Sequence, residues 1–426
     1  MENKFIIIIV VTLFLIALAQ LMKVYDLASK VKGEKSEEII TKQENTFNAF
    51  LFLVFMVSYF SFVIWLIMKF GMNGGLFESG SAHGQETDGL LLFNWYIIIP
   101  VFFLTNSVLF IFAWKYRYKK ERKALYYPHN NKLEFIWTVV PAIALSCIII
   151  YGLKIWNEVM FSEDKDAKVV EIYAERFAWK IRYAGEDNVL GKADYKLITG
   201  NNPTGIITHE YIQETYTDIE NKIDKLNTFL NENSKDGEGL LPTSQVDSCE
   251  SLIETLQRQK YRIKATIDKG SKEENTELYK ASYDDIISSE FRLIKDQPYS
   301  FRIRSKDVMH SVFVPHFRMQ MNAVPGMETK FNMTPVITTD EMRLKPEVQE
   351  HYRNLNILHN ERLKSLGEPE EEVEFNYILM CNKICGSAHY NMQKNIIVET
   401  KEEFNTWLSD QKTTSDQLSD KLALKE

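Results

Sequence analysis

Hydrophobic and polar positions along this 426-residue chain follow one regime before Trp156 and another after it. The first part carries long apolar runs at 5–22, 47–68, 90–114 and 136–156, almost without charge. Each comes close to the roughly 20 residues that cross a hydrocarbon core of about 30 Å. A long helix in a soluble core keeps a polar face, and the last three runs have none. Four membrane-spanning helices are therefore predicted, the first and shortest competing with a buried globular helix. After Trp156 the runs become short and rich in Val, Ile, Phe and Tyr, at 169–174, 177–183, 299–304, 308–314, 330–333, 375–380 and 395–399. Short, partly alternating runs divided by turn residues predict an antiparallel β-sandwich.

Two stretches interrupt the sandwich. In the first, about 193–289, Ile212, Tyr216, Ile219, Ile223, Leu226 and Leu230 recur at alternating four- and three-residue spacings, the seam of a helix. Ile253, Leu256, Ile263 and Ile267 mark a second helical face, so an α-hairpin is predicted, its seam closed on itself or on a partner. The second, about 340–374, is charged and reads as partly helical. A short closing helix is expected at 402–408, then a polar tail over 411–426. The domain division is 1–72 for an N-terminal helix pair, 88–160 for a second membrane hairpin, and 165–410 for an external domain.

Charge orients the spans. Lys115, Arg117, Lys119, Lys120, Arg122, Lys123 and Lys132 lie between the third and fourth runs, and Lys23, Lys30, Lys32, Lys35 and Lys42 between the first and second. The loop 71–89 has no Lys or Arg and carries Glu78, Glu86 and Asp88. Basic loops stay in the cytoplasm, which places everything after Trp156 outside. Lys4, the first apolar run and Ala17 to Ala19 also resemble a signal peptide. Cleavage would reverse the basic loop 115–132, so the first run is expected to be retained.

The chemistry gathers late in the chain. Cys381, Cys385, His389 and Met392 are spaced C-x3-C-x3-H-x2-M. Thiolate and thioether are soft ligands that suit copper, and imidazole also binds it. A second Cys beyond the single one of a mononuclear blue-copper site provides a bridging thiolate, and His310 offers the second imidazole. Zinc is disfavoured, because no second Cys or His pair has zinc-ligand spacing. Cys147, in a span, and the solitary Cys249 are not expected as ligands, and His209, His351 and His359 read as surface residues. His316, six residues after His310, is a candidate for supporting a ligand.

These residues resemble subunit II of the haem-copper cytochrome c oxidases. The match runs through Asp307 to Pro315, Asn322 to Gly326, and the Cys381–Met392 ligand loop. The resemblance implies an α+β membrane protein: four transmembrane helices and a cupredoxin-like Greek-key β-sandwich with an inserted helical hairpin. It implies a binuclear copper-A centre of two copper ions, held by His310, Cys381, the backbone carbonyl of Lys383, Cys385, His389 and Met392. Lys383 stands where the family usually has Glu, whose carboxylate helps hold Mg or Mn at the interface with subunit I. An ammonium cannot ligate a cation, so either that site is lost or Lys383 replaces its charge. The family usually has two spans, matched by the third and fourth here. Glu134, in the motif opening the fourth run, matches a carboxylate at the mouth of a proton pathway into subunit I; the alternative is an ordinary interfacial Glu.

The resemblance also implies a function: accepting electrons from a c-type cytochrome and passing them to haem in subunit I, where oxygen becomes water and protons are pumped. Of the family's W-x-W pair over the copper, Phe177 replaces the first Trp and Trp179 matches the second. Asn322 stands where the family has a donor-docking acid. No C-x-x-C-H motif occurs, so covalent haem is not expected and the donor comes in trans, in a larger complex. The expected partners are subunit I, other oxidase subunits, that cytochrome and the lipid bilayer, with no nucleic acid. The expected location is the bacterial cytoplasmic membrane, multi-pass, with the copper domain periplasmic. Rival readings are a copper carrier, which would favour open or Met-rich sites, and a copper-free quinol oxidase subunit, which would lack these ligands.

Overall fold

The computed structural model describes residues 2–31, 41–71, 76–162, 164–233, 241–270 and 279–423. Within these, the chain divides into two compact units, one of residues 1–75 and 93–141, the other of 76–92 and 142–426.

The first unit is helical. It holds α1 (Glu2–Val31), α2 (Lys42–Leu66, continued by a π turn Ile67–Gly71), and the inner parts of α3 (Ala82–Lys115) and α4 (Asn131–Phe161). Among the described residues, three helices are long and apolar enough to cross a membrane: Lys42–Gly71, Ala82–Lys115 and Asn131–Phe161. The expected first span falls on α1, but the side chains of residues 2–12 lie outside the described residues. α2 starts on a capping box, in which Thr41 accepts from the Glu44 N–H at 3.2 Å and its own N–H donates to the Glu44 carboxylate at 3.3 Å. It meets α3 through aromatic pairs, Phe60 with Phe103 at 4.8 Å and Phe55 with Phe110 at 5.6 Å.

The second unit is a β-sandwich. One sheet has strand order β3-β2-β1-β5-β8, with β1 (Lys168–Glu175), β2 (Ala178–Tyr183), β3 (Ile286–Ser288), β5 (Tyr299–Ser305) and β8 (Thr329–Met333). The other has β4-β10-β9-β6-β7, with β4 (Phe291–Ile294), β6 (His310–Val314), β7 (Met319–Ala323), β9 (Tyr377–Cys381) and β10 (Gln393–Glu399). Ile172, Ile181, Phe301 and Ile303 from the first sheet face Phe291, Val312, Leu379 and Ile396 from the second, all at most 2% exposed. The expectation of an antiparallel sandwich needs correction, since β1 pairs parallel to β5 and β4 parallel to β10. A parallel pair needs a long crossover, and the first insertion and the passage between sheets supply it.

Sequence patterning missed β3 and β4, which are too short to show a period, and the five-residue β7. The first insertion therefore ends before Ile286 and not at 289. Its helices are α5 (His209–Asn233) and α6 (Thr243–Gly270), and Ile219, Ile223 and Ile263 bury the seam against itself. The second insertion forms α7 (Thr339–Arg343) and α8 (Pro346–Leu366). The closing helix is α9 (Lys401–Ser409). Within the polar tail, Thr414–Ala423 is a helix, α10, that buries Leu418 and pairs Lys421 with Glu214 at 2.9 Å.

The outer face of β1 is polar yet buried. Glu171 receives Arg182 at 2.7 Å, Arg182 also reaches Asp285 at 2.9 Å, and Arg304 caps Glu171. Burial pushes the Asp285 carboxyl up to about 7 against the pull of Arg182. Removing one member would strand a buried charge, at a cost of about 3–5 kcal/mol. At the other end of the sandwich, Arg318 makes a two-pronged bond to Asp88 near the start of α3, at 2.9 and 2.7 Å, and donates to the Phe77 carbonyl.

Candidate metal centre

Two strand ends and one loop build the site. His310 opens β6, Cys381 closes β9, and the register pairs Val312 with Cys381. The loop then turns back to Met392, whose carbonyl accepts from the Cys381 N–H at 3.0 Å before β10 begins. Inside it, the His389 N–H donates to the Gly386 carbonyl at 3.2 Å.

Donor atoms crowd around the two sulfurs. Cys381 Sγ lies 3.9 Å from Cys385 Sγ, 3.9 Å from His310 Nδ1 and 3.1 Å from the Lys383 carbonyl. Cys385 Sγ lies 3.5 Å from His389 Nδ1 and 3.8 Å from Met392 Sδ. The sulfurs are far beyond the roughly 2.05 Å of a disulfide, so they are separate thiols. All six atoms expected from sequence are brought together, and His310, Cys381 and Cys385 alone form a group, mutually within 4.8 Å, that could hold a metal ion. The donor set is sulfur and imidazole with one carbonyl, which fits a soft or borderline metal and not a hard oxygen-seeking cation.

The surroundings fix the ligands. His310 is fully buried, and its Nε2 lies 2.9 Å from Asp307 Oδ1, leaving Nδ1 turned to the sulfurs. Burial works against the Asp307 carboxylate. Bonds from His310, from the Arg176 and Val308 N–H groups and from the Arg176 guanidinium outweigh it and hold Asp307 down to about 2. Burial, then the neighbouring Cys381, pushes the Cys385 thiol up to about 11. Without a metal Cys385 thus keeps its proton, and a bound metal would displace it.

Trp179 is 2% exposed, donates Nε1–H to the Met392 carbonyl at 3.3 Å, and meets the His310 ring edge-on at 6.2 Å. Phe177 lies over the loop at Gly386, where a Cβ would come within 2.8 Å of its ring. The rim is exposed and partly apolar, with Ile384 90% and Tyr390 85% accessible.

Other expected residues fall elsewhere. His316 lies in the 3-10 turn beyond the far end of β6, a strand that carries the chain roughly 13 Å from His310. It stacks on Phe77 at 6.2 Å and meets Phe375 edge-on at 5.0 Å, so it supports the core and not a ligand. Lys383 points its side chain to solvent, and Asn322 sits on β7 opposite Ser311. Glu134 lies in the first turn of α4, where its carboxylate accepts from the Asn130 N–H at 3.3 Å. Sequence reading passed over Asp307 as an orienting group and Gly386 as a packing requirement. The signals were an acid three residues before His310 and a glycine directly after a ligand.

Residues 68–155 match the family model described as cytochrome c oxidase subunit II, transmembrane domain. A curated relative, the alternative cytochrome c oxidase subunit 2 of Bradyrhizobium diazoefficiens, is 23% identical over 74% of this chain and 77% of its own. The chain is similar to the cytochrome c oxidase subunit II family. A second subunit II, cytochrome c oxidase subunit 2 of Thermostichus vulcanus, is 21% identical over 79% of this chain and 78% of its own. The solved periplasmic domain of subunit II of the Bradyrhizobium japonicum cytochrome oxidase aligns at 16% identity with a TM-score of 0.20. That alignment covers 29% of this chain and 63% of the solved one, less than two thirds of its length. The subunit II family model ends within α4, so the ligand loop lies beyond the part it matches.

Proposed function

We propose that this chain is the electron-accepting subunit of a respiratory cytochrome c oxidase. It takes electrons from a c-type cytochrome and delivers them to haem in subunit I, where oxygen is reduced to water and protons are pumped. One observation carries the reading: two imidazoles, a thioether and a carbonyl converge at 3.1–3.9 Å on a pair of unbonded thiols. His310, Cys381, the Lys383 carbonyl, Cys385, His389 and Met392 would hold two copper ions. Held there, the copper ions would supply a one-electron relay.

The chain's own residues prepare that site. Asp307 fixes the His310 ring, burial of His310 and Met392 excludes water, and the Trp179 indole anchors the loop through the Met392 carbonyl. Phe177 and Trp179 give the aromatic path from the surface towards the ligands. The exposed side chain of Lys383 supplies no ligand for Mg or Mn. Glu134, at the start of α4, would receive protons for subunit I. In this reading four spans, α1 included, hold the protein in a bacterial cytoplasmic membrane with its Greek-key, cupredoxin-like domain in the periplasm. The α5–α6 hairpin is the proposed dock for the donor within a larger complex.

Copper analysis with electron spin resonance of the purified chain tests the centre. Two coppers per chain sharing one unpaired electron are expected; one copper or none overturns the reading. Deleting about 208–270 should leave that spectrum intact and weaken the donor, and unchanged donor-driven turnover would refute the docking role.

A further inference from the structure

α3 ends at Lys115 and α4 begins at Asn131, and both are candidate spans, so residues 116–130 lie at a membrane surface. Two of the basic residues there have local duties. Arg117 donates to the Trp114 carbonyl and Arg122 to the Lys115 carbonyl, each at 2.9 Å, closing the last turn of α3. Lys119, Lys120 and Lys123 are exposed, and the segment's single acid is Glu121. Beside them Leu125 is 86%, Tyr126 88% and Tyr127 64% accessible. Large apolar and amphipathic side chains this open beside a basic run fit the boundary between headgroups and acyl chains, where Tyr concentrates. A polybasic run at that depth is complementary to an anionic leaflet.

We propose that residues 116–130 form a binding surface for anionic phospholipid. Leu125, Tyr126 and Tyr127 sit at the acyl boundary, and Lys119, Lys120 and Lys123 contact headgroup phosphates. The inference rests on α3 and α4 spanning the bilayer and is independent of the metal centre. The surface is already beside lipid, whereas a protein partner would have to bring its own acidic patch to it.

Native mass spectrometry of the full chain, released from mixed phosphatidylglycerol and phosphatidylcholine nanodiscs, tests this. The unaltered chain should retain phosphatidylglycerol over phosphatidylcholine by at least about tenfold. The Lys119→Gln, Lys120→Gln, Lys123→Gln triple variant should fall to near parity, and so should the unaltered chain in high salt. Tyr126→Ser should lower total lipid retention and keep the preference. Because these side chains are exposed, all variants should keep their helix content. Equal retention of both lipids by the unaltered chain overturns the proposal, as does an unchanged triple variant. So does cross-linking of Lys120 to another oxidase subunit with no phosphatidylglycerol retained.

Discussion

Replacing Gly386 by Ala should cripple the metal loop without touching a ligand. Two independent penalties meet there. The backbone sits at φ +148, a region that side chains rarely adopt, and holding Ala there costs about 1–3 kcal/mol. The new Cβ would also lie 2.8 Å from Phe177 Cζ and 2.9 Å from its Cε1, with Arg176 Cδ at 3.6 Å. Overpacking of this kind costs about 1–3 kcal/mol, and the ring end is the part free to move. The sum, about 2–6 kcal/mol, falls on the turn that links Cys385 to His389. The assay is copper retained per chain after dialysis against a chelator, with thermal unfolding in parallel. Gly386→Ala should lose copper and unfold earlier. In a double-mutant cycle, Phe177→Ala should return about 1–2 kcal/mol, because it removes the collision and leaves the backbone strain. A Gly386→Ala chain that holds copper and unfolds like the parent would refute the reasoning, and a zero coupling would refute its steric half.

Cys381→Ser should abolish the paired-copper spectrum with the sandwich intact, while Met392→Leu should leave copper partly bound at a shifted reduction potential, both read by spin resonance and redox titration. Asp307→Asn loses a charge-assisted bond to His310 Nε2 and should weaken metal affinity by about 10–100-fold, measured by competition with a chelator. Burial, then the charge of Arg318, holds His316 down to about 4 against its ordinary 6.5. The unfolded chain therefore binds the extra proton first. Stability is full above pH 6.5 and falls as pH drops towards 4, by up to about 3 kcal/mol, and His316→Phe should flatten that slope in chemical denaturation.

How legible these features were depended on whether they are local. The spans at 47–68, 90–114 and 136–156 were plain because a bilayer demands an uninterrupted apolar run, and the α5 seam was plain because helical periodicity needs only its own residues. β3 and β4, of three and four residues, carry no readable period and exist because neighbouring strands hold them. The buried Glu171 was unreadable for the same reason: strand pairing sets Arg182 opposite it, and Arg304 and Asp285 join the network from distant segments. α10 was hidden because it buries little beyond Leu418 and depends on α5 for a surface to dock on.

The ligand set shows both sides of that division. Cys381, Cys385, His389 and Met392 declare themselves by spacing, since one short loop carries them all. His310 is seventy-one residues upstream of Cys381, and only strand register delivers it. β6 pairs Val312 with Cys381, the Asn382 N–H reaches the Ser311 carbonyl at 3.2 Å, and the Cys381 N–H reaches the Met392 carbonyl at 3.0 Å. A slip of one residue would turn His310 to the opposite face of the sheet and take Nδ1 away from the sulfurs. Backbone bonds and the apolar face containing Val312 and Leu379 therefore set the donor positions before any metal is present. The loop should hold its shape in the metal-free chain, so metal uptake there should be limited by the proton on Cys385 and not by folding.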